Sequence, residues 1–235
     1  MGLVDDAHPD AHGLPRQRRG TTPQMVGRYP DYDVLSQVGH WDAETREVVL
    51  ARVNDVPEIR FFDEAEVRTL RAFCDVVTAQ DAEPRIPVLN FVDDKLASGR
   101  RDGYQYFDLP DDDEVWRRVA VGLDAAARER SFDSFAEAPL EAQVWVVHRF
   151  SHGELHGGVW DSLNVSRAWT IVMRDVTQAF YAHPWSWNEI GFGGPAYPRG
   201  YAAFGSPELG EVEHWEERDV ENIDPVPDVK KRGLD

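Results

Sequence analysis

The run RAWTIVMRDVTQAFYAH places Trp169, Val172, Met173, Val176 and Phe180 at helical spacing, and it is the strongest amphipathic pattern in the chain. A helix with such a stripe must bury it against another element. Ser166, just before the run, is the predicted N-cap. Without a break, the predicted helix leads into YAHPWSWNEIGFGGPAYPRGYAAF, residues 181 to 204. That segment holds seven aromatics, four glycines and three prolines, with Glu189 and Arg199 as its only acid and base. Glycine and proline disfavour long helices, while large aromatics supply rigid contact area. The reading is an ordered, non-helical loop that folds back on its own domain or docks elsewhere.

Other segments carry weaker helical signals of the same kind. Asp63 precedes EAEVRTLRAFCDVVTA, in which Val67, Leu70, Cys74 and Val77 share a face. Pro87 opens PVLNFVDDKLASG, with Leu89, Val92 and Leu96 inward and Gly99 as the stop. A third helix runs from the acidic cluster Asp111 to Glu114 as far as about Arg130, burying Trp116, Val119, Ala120, Leu123 and Ala127. Its acids sit where the helix dipole favours negative charge. Pro139 starts a fourth helix that continues through VWVVHRF. Asp42 is an N-cap for DAETREVVLARV, although TREVVL also reads as a strand. Alternating strand patterns are otherwise scarce. The expected fold is all-α: a small helical bundle over residues 61–204, an irregular arm with a short helix over 1–60, and an acidic tail over 205–235.

Charge and composition exclude several functions. A net charge of -18 opposes binding to nucleic acid or to an anionic membrane surface. No apolar run reaches the roughly 20 residues that span a bilayer, so direct membrane insertion is not expected. Cys74 is the single cysteine, which rules out an internal disulfide and fits a small core residue. Arg16, Arg18 and Arg19 are followed by polar sequence and not by a hydrophobic stretch. The expected compartment is the cytoplasm, with export beside a signal-bearing partner as the alternative.

Catalytic motifs are hard to build. HRFSHGELH spaces His148, His152 and His156 four residues apart, so a continuous helix would align three imidazoles for a metal, with Glu154 nearby. Gly153, Gly157 and Gly158 favour a helix end near residue 152, which would scatter them. The alternative function is therefore a metal-dependent enzyme using these histidines, and a further one is a free-standing acidic binding module. Neither Ser151 nor Ser162 sits in a nucleophile motif. GFGG at 191–194 is followed by Pro195 and not by a helix, so it is no phosphate cradle. The remaining candidates are Trp185, Trp187, Asn188, Glu189, Phe192, Tyr197, Pro198, Arg199 and Tyr201, as partner-binding or loop-structuring residues. A Glu189–Arg199 pair would hold the loop in shape.

The block HPWSWNEIGFGGPAYPRGY, with LRAFCDVV, VLNFVDDKL, WRRVAVGLD and SRAWTIVMRDV upstream, resembles the gluconate 2-dehydrogenase subunit 3 family over roughly residues 60 to 204. The resemblance implies a small helical, non-catalytic subunit of a membrane-associated, FAD-dependent sugar or sugar-acid dehydrogenase. It implies no cofactor on this chain, with FAD expected in the partner. That partner is a large flavoprotein of the glucose-methanol-choline type, often accompanied by a multihaem cytochrome c. Many relatives begin with a twin-arginine signal, and here Arg18 and Arg19 lack its hydrophobic segment.

Overall fold

The computed structural model describes residues 34–81 and 83–190, together with 192, 194 and 195. Among the described residues the regular structure consists of seven α-helices and two 3₁₀ segments, and no strand occurs. The chain divides into two compact units. One comprises Val56–Asp81 and Ile86–Ala182; the described residues of the other are 34–55, 83–85 and those from 183 onward.

In the first unit, α2 (Glu64–Val77) packs on α3 (Val88–Ala97), α4 (Asp112–Glu129) and α5 (Leu140–Ser151), while α6 (Val165–Tyr181) packs on α3, α4 and α5. A 3₁₀ segment, Gly158–Ser162, lies against α4. Helix starts follow local chemistry. Asp63 forms a full capping box with Glu66: its carboxylate accepts from the Ala65 and Glu66 main-chain N–H groups, and Glu66 accepts from the Asp63 N–H at 2.9 Å. Gly99, at φ +64°, ends α3 as expected of a residue free of a Cβ. The N-cap of α6 is Asn164 and not Ser166; its Oδ1 accepts the Arg167 N–H at 3.2 Å. Ser166 lies inside the helix with its Oγ beside Gly153, where a Cβ would come within 2.4 Å of it.

Aromatics fill this core. Phe150 stands 5.1 Å from Trp160 and 5.2 Å from Trp169, and Phe73 meets both Phe150 and Trp169 at about 6 Å. The predicted stripe of α4 is buried throughout. That of α2 is rotated: Thr69, Leu70, Phe73, Cys74 and Val76 are buried, with Val67 and Val77 at the margins. Burial pushes the Cys74 thiol well above its ordinary range, consistent with an inert core residue.

The second unit contains a 3₁₀ segment Val34–His40, α1 (Ala43–Asn54) and α7 (Pro184–Ile190). Asp42 caps α1, accepting the Thr45 N–H at 2.9 Å, so DAETREVVLARV is helical and its strand alternative is not realised. Residues 184–190 are also helical, where the density of glycine and proline predicted no helix. Pro184 stands at the first helical position, which tolerates proline, and the glycines begin only at Gly191. The intervening residues contain no breaker.

Candidate functional site

Within the described part of the aromatic segment, Trp187 and Asn188 turn inward. Trp187 is 5% exposed and shares a buried cluster with Val34, Trp41 and Val49, flanked by Leu35 and Val38. The Arg52 guanidinium lies 5.8 Å from the Trp187 ring centre, and Phe192 meets that ring edge-on at 5.3 Å. Phe192 is also held by its main chain, whose N–H donates to the Trp187 carbonyl at 2.9 Å. Asn188 is buried and its Oδ1 accepts the Val34 N–H at 2.7 Å. Gly194 has φ +84°, and a Cβ there would sit 2.8 Å from Val34 Cγ2 and 3.0 Å from Trp41. Only glycine fits that approach.

His183 sets the start of α7. Its Nδ1 accepts the Trp185 N–H at 3.2 Å, its carbonyl accepts from the Ser186 hydroxyl at 2.7 Å, and its ring meets Trp185 edge-on at 4.9 Å. Burial drives the imidazole pKa down to about 4; the Arg52 charge adds to this, and a hydrogen bond with the Arg52 main chain opposes it. The ring is therefore neutral at physiological pH.

Of the predicted site residues, Trp185, Trp187, Asn188 and Phe192 are thus gathered on α7 and just beyond it. Three of them, Trp187, Asn188 and Phe192, are engaged in holding the segment to itself or to residues 34–49. Glu189 lies in α7. Tyr197, Pro198, Arg199 and Tyr201 fall outside the described residues, and so does the expected Glu189–Arg199 pair.

The histidine arrangement does not form a metal cage. α5 ends at Ser151 with His152 as its C-cap, and Gly153 turns the chain at φ +70°. His148 and His152 stack at 4.2 Å, and His152 Nδ1 is engaged with the His148 carbonyl at 2.8 Å. His156 lies beyond the helix and lines a small cleft of about 120 Å³ with Trp145, Arg149, Glu129, Glu154 and Trp160. Among the described residues, no group of three or more His, Cys, Asp or Glu is placed to hold a metal ion. Trp145 itself is bracketed by Arg130 at 4.3 Å and Arg149 at 5.1 Å.

Two buried carboxylates carry the polar structure of the helical core, and neither was among the residues singled out from the sequence. Asp93 on α3 accepts the N–H groups of Arg60, Phe61 and Phe62 at 2.7, 2.9 and 3.0 Å. Asp175 on α6 accepts from Lys95 Nζ at 2.8 Å, Trp116 Nε1 at 3.0 Å and Arg174 at 3.2 Å. Arg174 also reaches Asp102 at 2.9 Å and Asp112 at 2.7 Å. The signal was present: Asp175 falls between Val172 and Val176, and Asp93 beside Val92, acids on apolar faces. Burial without partners would be prohibitive, so each is ringed by donors.

Among the described residues the fold is helical, with α7 folded into a compact unit with residues 34–54. The sequence model of gluconate 2-dehydrogenase subunit 3 matches residues 64–194, more than half of the chain. The chain belongs to that family. No curated protein and no solved structure matches it. The matched region includes α7 but stops short of Val34–Asn54, the segment against which α7 packs.

Proposed function

We propose that this chain is a non-catalytic accessory subunit of an FAD-dependent sugar or sugar-acid dehydrogenase, stabilising or maturing the flavoprotein subunit. The observation that carries the reading is membership, over residues 64–194, of a family named as a dehydrogenase subunit. The architecture is in keeping with it. Conspicuous polar groups, Asp93, Asp175 and Asn188, are committed to holding main chain and helices together, which suits a rigid scaffold. In this reading FAD belongs to the large glucose-methanol-choline-type partner, and a multihaem cytochrome c takes the electrons onward. Among the described residues no helix is long and apolar enough to cross a membrane.

The test is to produce the flavoprotein with and without this chain. Soluble, FAD-loaded, active flavoprotein is expected only on co-expression. Equal yield and turnover of the flavoprotein made alone would refute the reading.

A further inference from the structure

We infer that the turn from Tyr104 to Asp108 is the surface through which this chain meets its flavoprotein subunit, the partner offering an apolar pocket with a basic rim to the Phe107 ring. The inference rests on the function proposed above. Phe107 is 93% exposed and Tyr104 62%, the two most exposed large apolar side chains among the described residues. An exposed ring on a slack loop would mean little. This turn is held from several sides. Asp108 pairs with Arg167 and accepts from Asn164 Nδ2 at 2.9 Å, which ties the turn to the start of α6. The Asn164 hydrogen bond, and then the Arg167 guanidinium, keep the Asp108 carboxyl below its ordinary range, so the tether stays ionised. Arg167 in turn lies 4.9 Å from the Tyr106 ring and 5.5 Å from that of Phe107. Tyr104 meets Tyr106 edge-on at 5.1 Å, Gln105 donates to Asp111 at 2.8 Å, and Leu109 is buried beneath.

Several contacts thus converge on a turn that keeps a phenylalanine in water. Pre-ordering of an aromatic and arginine cluster is what lowers the entropic cost of docking, and these are residue types found at binding hot spots. The turn also lies inside the family match, whereas α7, the other aromatic candidate, has its Trp187 and Asn188 already buried. Charge selects the occupant. The carboxylates of Asp111, Asp113 and Glu114 flank the turn, each more than a third exposed and each paired with an arginine, Arg101 for the first two and Arg118 for the third, so the selection rests on the charge of the chain as a whole. The net charge of -18 repels a second copy of the chain and an anionic bilayer, and it favours a basic protein rim.

The experiment uses the full-length tagged chain purified from cells that make the flavoprotein, read by bound flavin per chain. Phe107→Ala is expected to reduce co-purified flavin roughly tenfold or more, and Tyr104→Ala to reduce it less. Val121→Ala, on an exposed part of α4, should change nothing. If wild type brings down no flavoprotein, the proposed function fails and this partner with it. If wild type and Phe107→Ala bring down equal amounts, the surface assignment alone is wrong. A benzophenone side chain at position 107 supplies a readout independent of stability. An adduct containing flavoprotein peptides is expected; an adduct only with this chain or with lipid, or none, overturns the inference.

Discussion

Asn188 accepts the main-chain N–H of Val34 at 2.7 Å, across 154 positions of sequence. This bond closes a small core in which Trp187, Trp41, Val34 and Val49 meet, and it satisfies a buried donor at the start of the 3₁₀ segment Val34–His40. The aromatic segment is in this respect a lock between the two ends of the described chain.

Asn188→Ala should therefore destabilise this unit by about 1 to 3 kcal/mol, because the Val34 N–H is left buried without that acceptor. Hydrogen exchange at Val34 measures it directly: faster exchange there, with α4 amides unchanged, is the expected pattern. Unchanged protection at Val34 would mean that the bond contributes nothing.

Gly122 on α4 is pressed by the Trp160 ring, whose Nε1 donates to the Gly122 carbonyl at 3.2 Å. A Cβ at this position would lie 2.3 Å from the ring. Gly122→Ala should cost about 1 to 3 kcal/mol by overpacking, despite the better helix propensity of alanine. Urea unfolding decides it, and adding Trp160→Leu should recover part of the loss.

Asp175 joins Lys95 on α3 and Trp116 on α4 to α6. Asp175→Ala strands the Trp116 N–H and removes a partner of Lys95, and should cost about 3 to 5 kcal/mol. Asp175→Asn keeps an acceptor for Trp116 and should cost less. A thermal melt in which the two variants are equally damaged would show that hydrogen bonding to Trp116 is not what Asp175 supplies.

His183 makes the second unit pH-sensitive. Its folded pKa, about 4, lies below the ordinary 6.5, so unfolding takes up a proton between these values. The stabilisation is complete above pH 6.5 and is lost as pH falls toward 4, amounting to roughly 3 kcal/mol across that window. Melting curves from pH 7.5 to 4.5 should show this slope, and His183→Asn should flatten it. A variant with the wild-type slope would assign the effect to other groups.

Much of the helical core was legible because its determinants are local. Asp63 with Glu66, the alternation of Trp116, Val119, Ala120 and Leu123, and Gly99 as a stop all act within a few residues, so periodicity and capping expose them. Ser166 misled because serine is also a frequent cap, and Asn164 two residues earlier made the bond first. For α7, glycine and proline content was averaged over residues 181–204, whose breakers are Pro184 at the first helical position and then only residues from Gly191 onward. The site was less legible. Trp187 and Asn188 were among the residues named, but their partners Val34 and Trp41 lie in a stretch with no periodicity of its own.

By itself the sequence determined the all-helical class, most helix boundaries and the family resemblance, since each is written in spacing along a few turns of chain. Tertiary structure alone decided that residues 34–54 close over α7, that Asp93 and Asp175 are buried among donors, and that Phe107 is held out in water. Those outcomes depend on which distant groups arrive opposite one another, and burial and pairing exist only once they do.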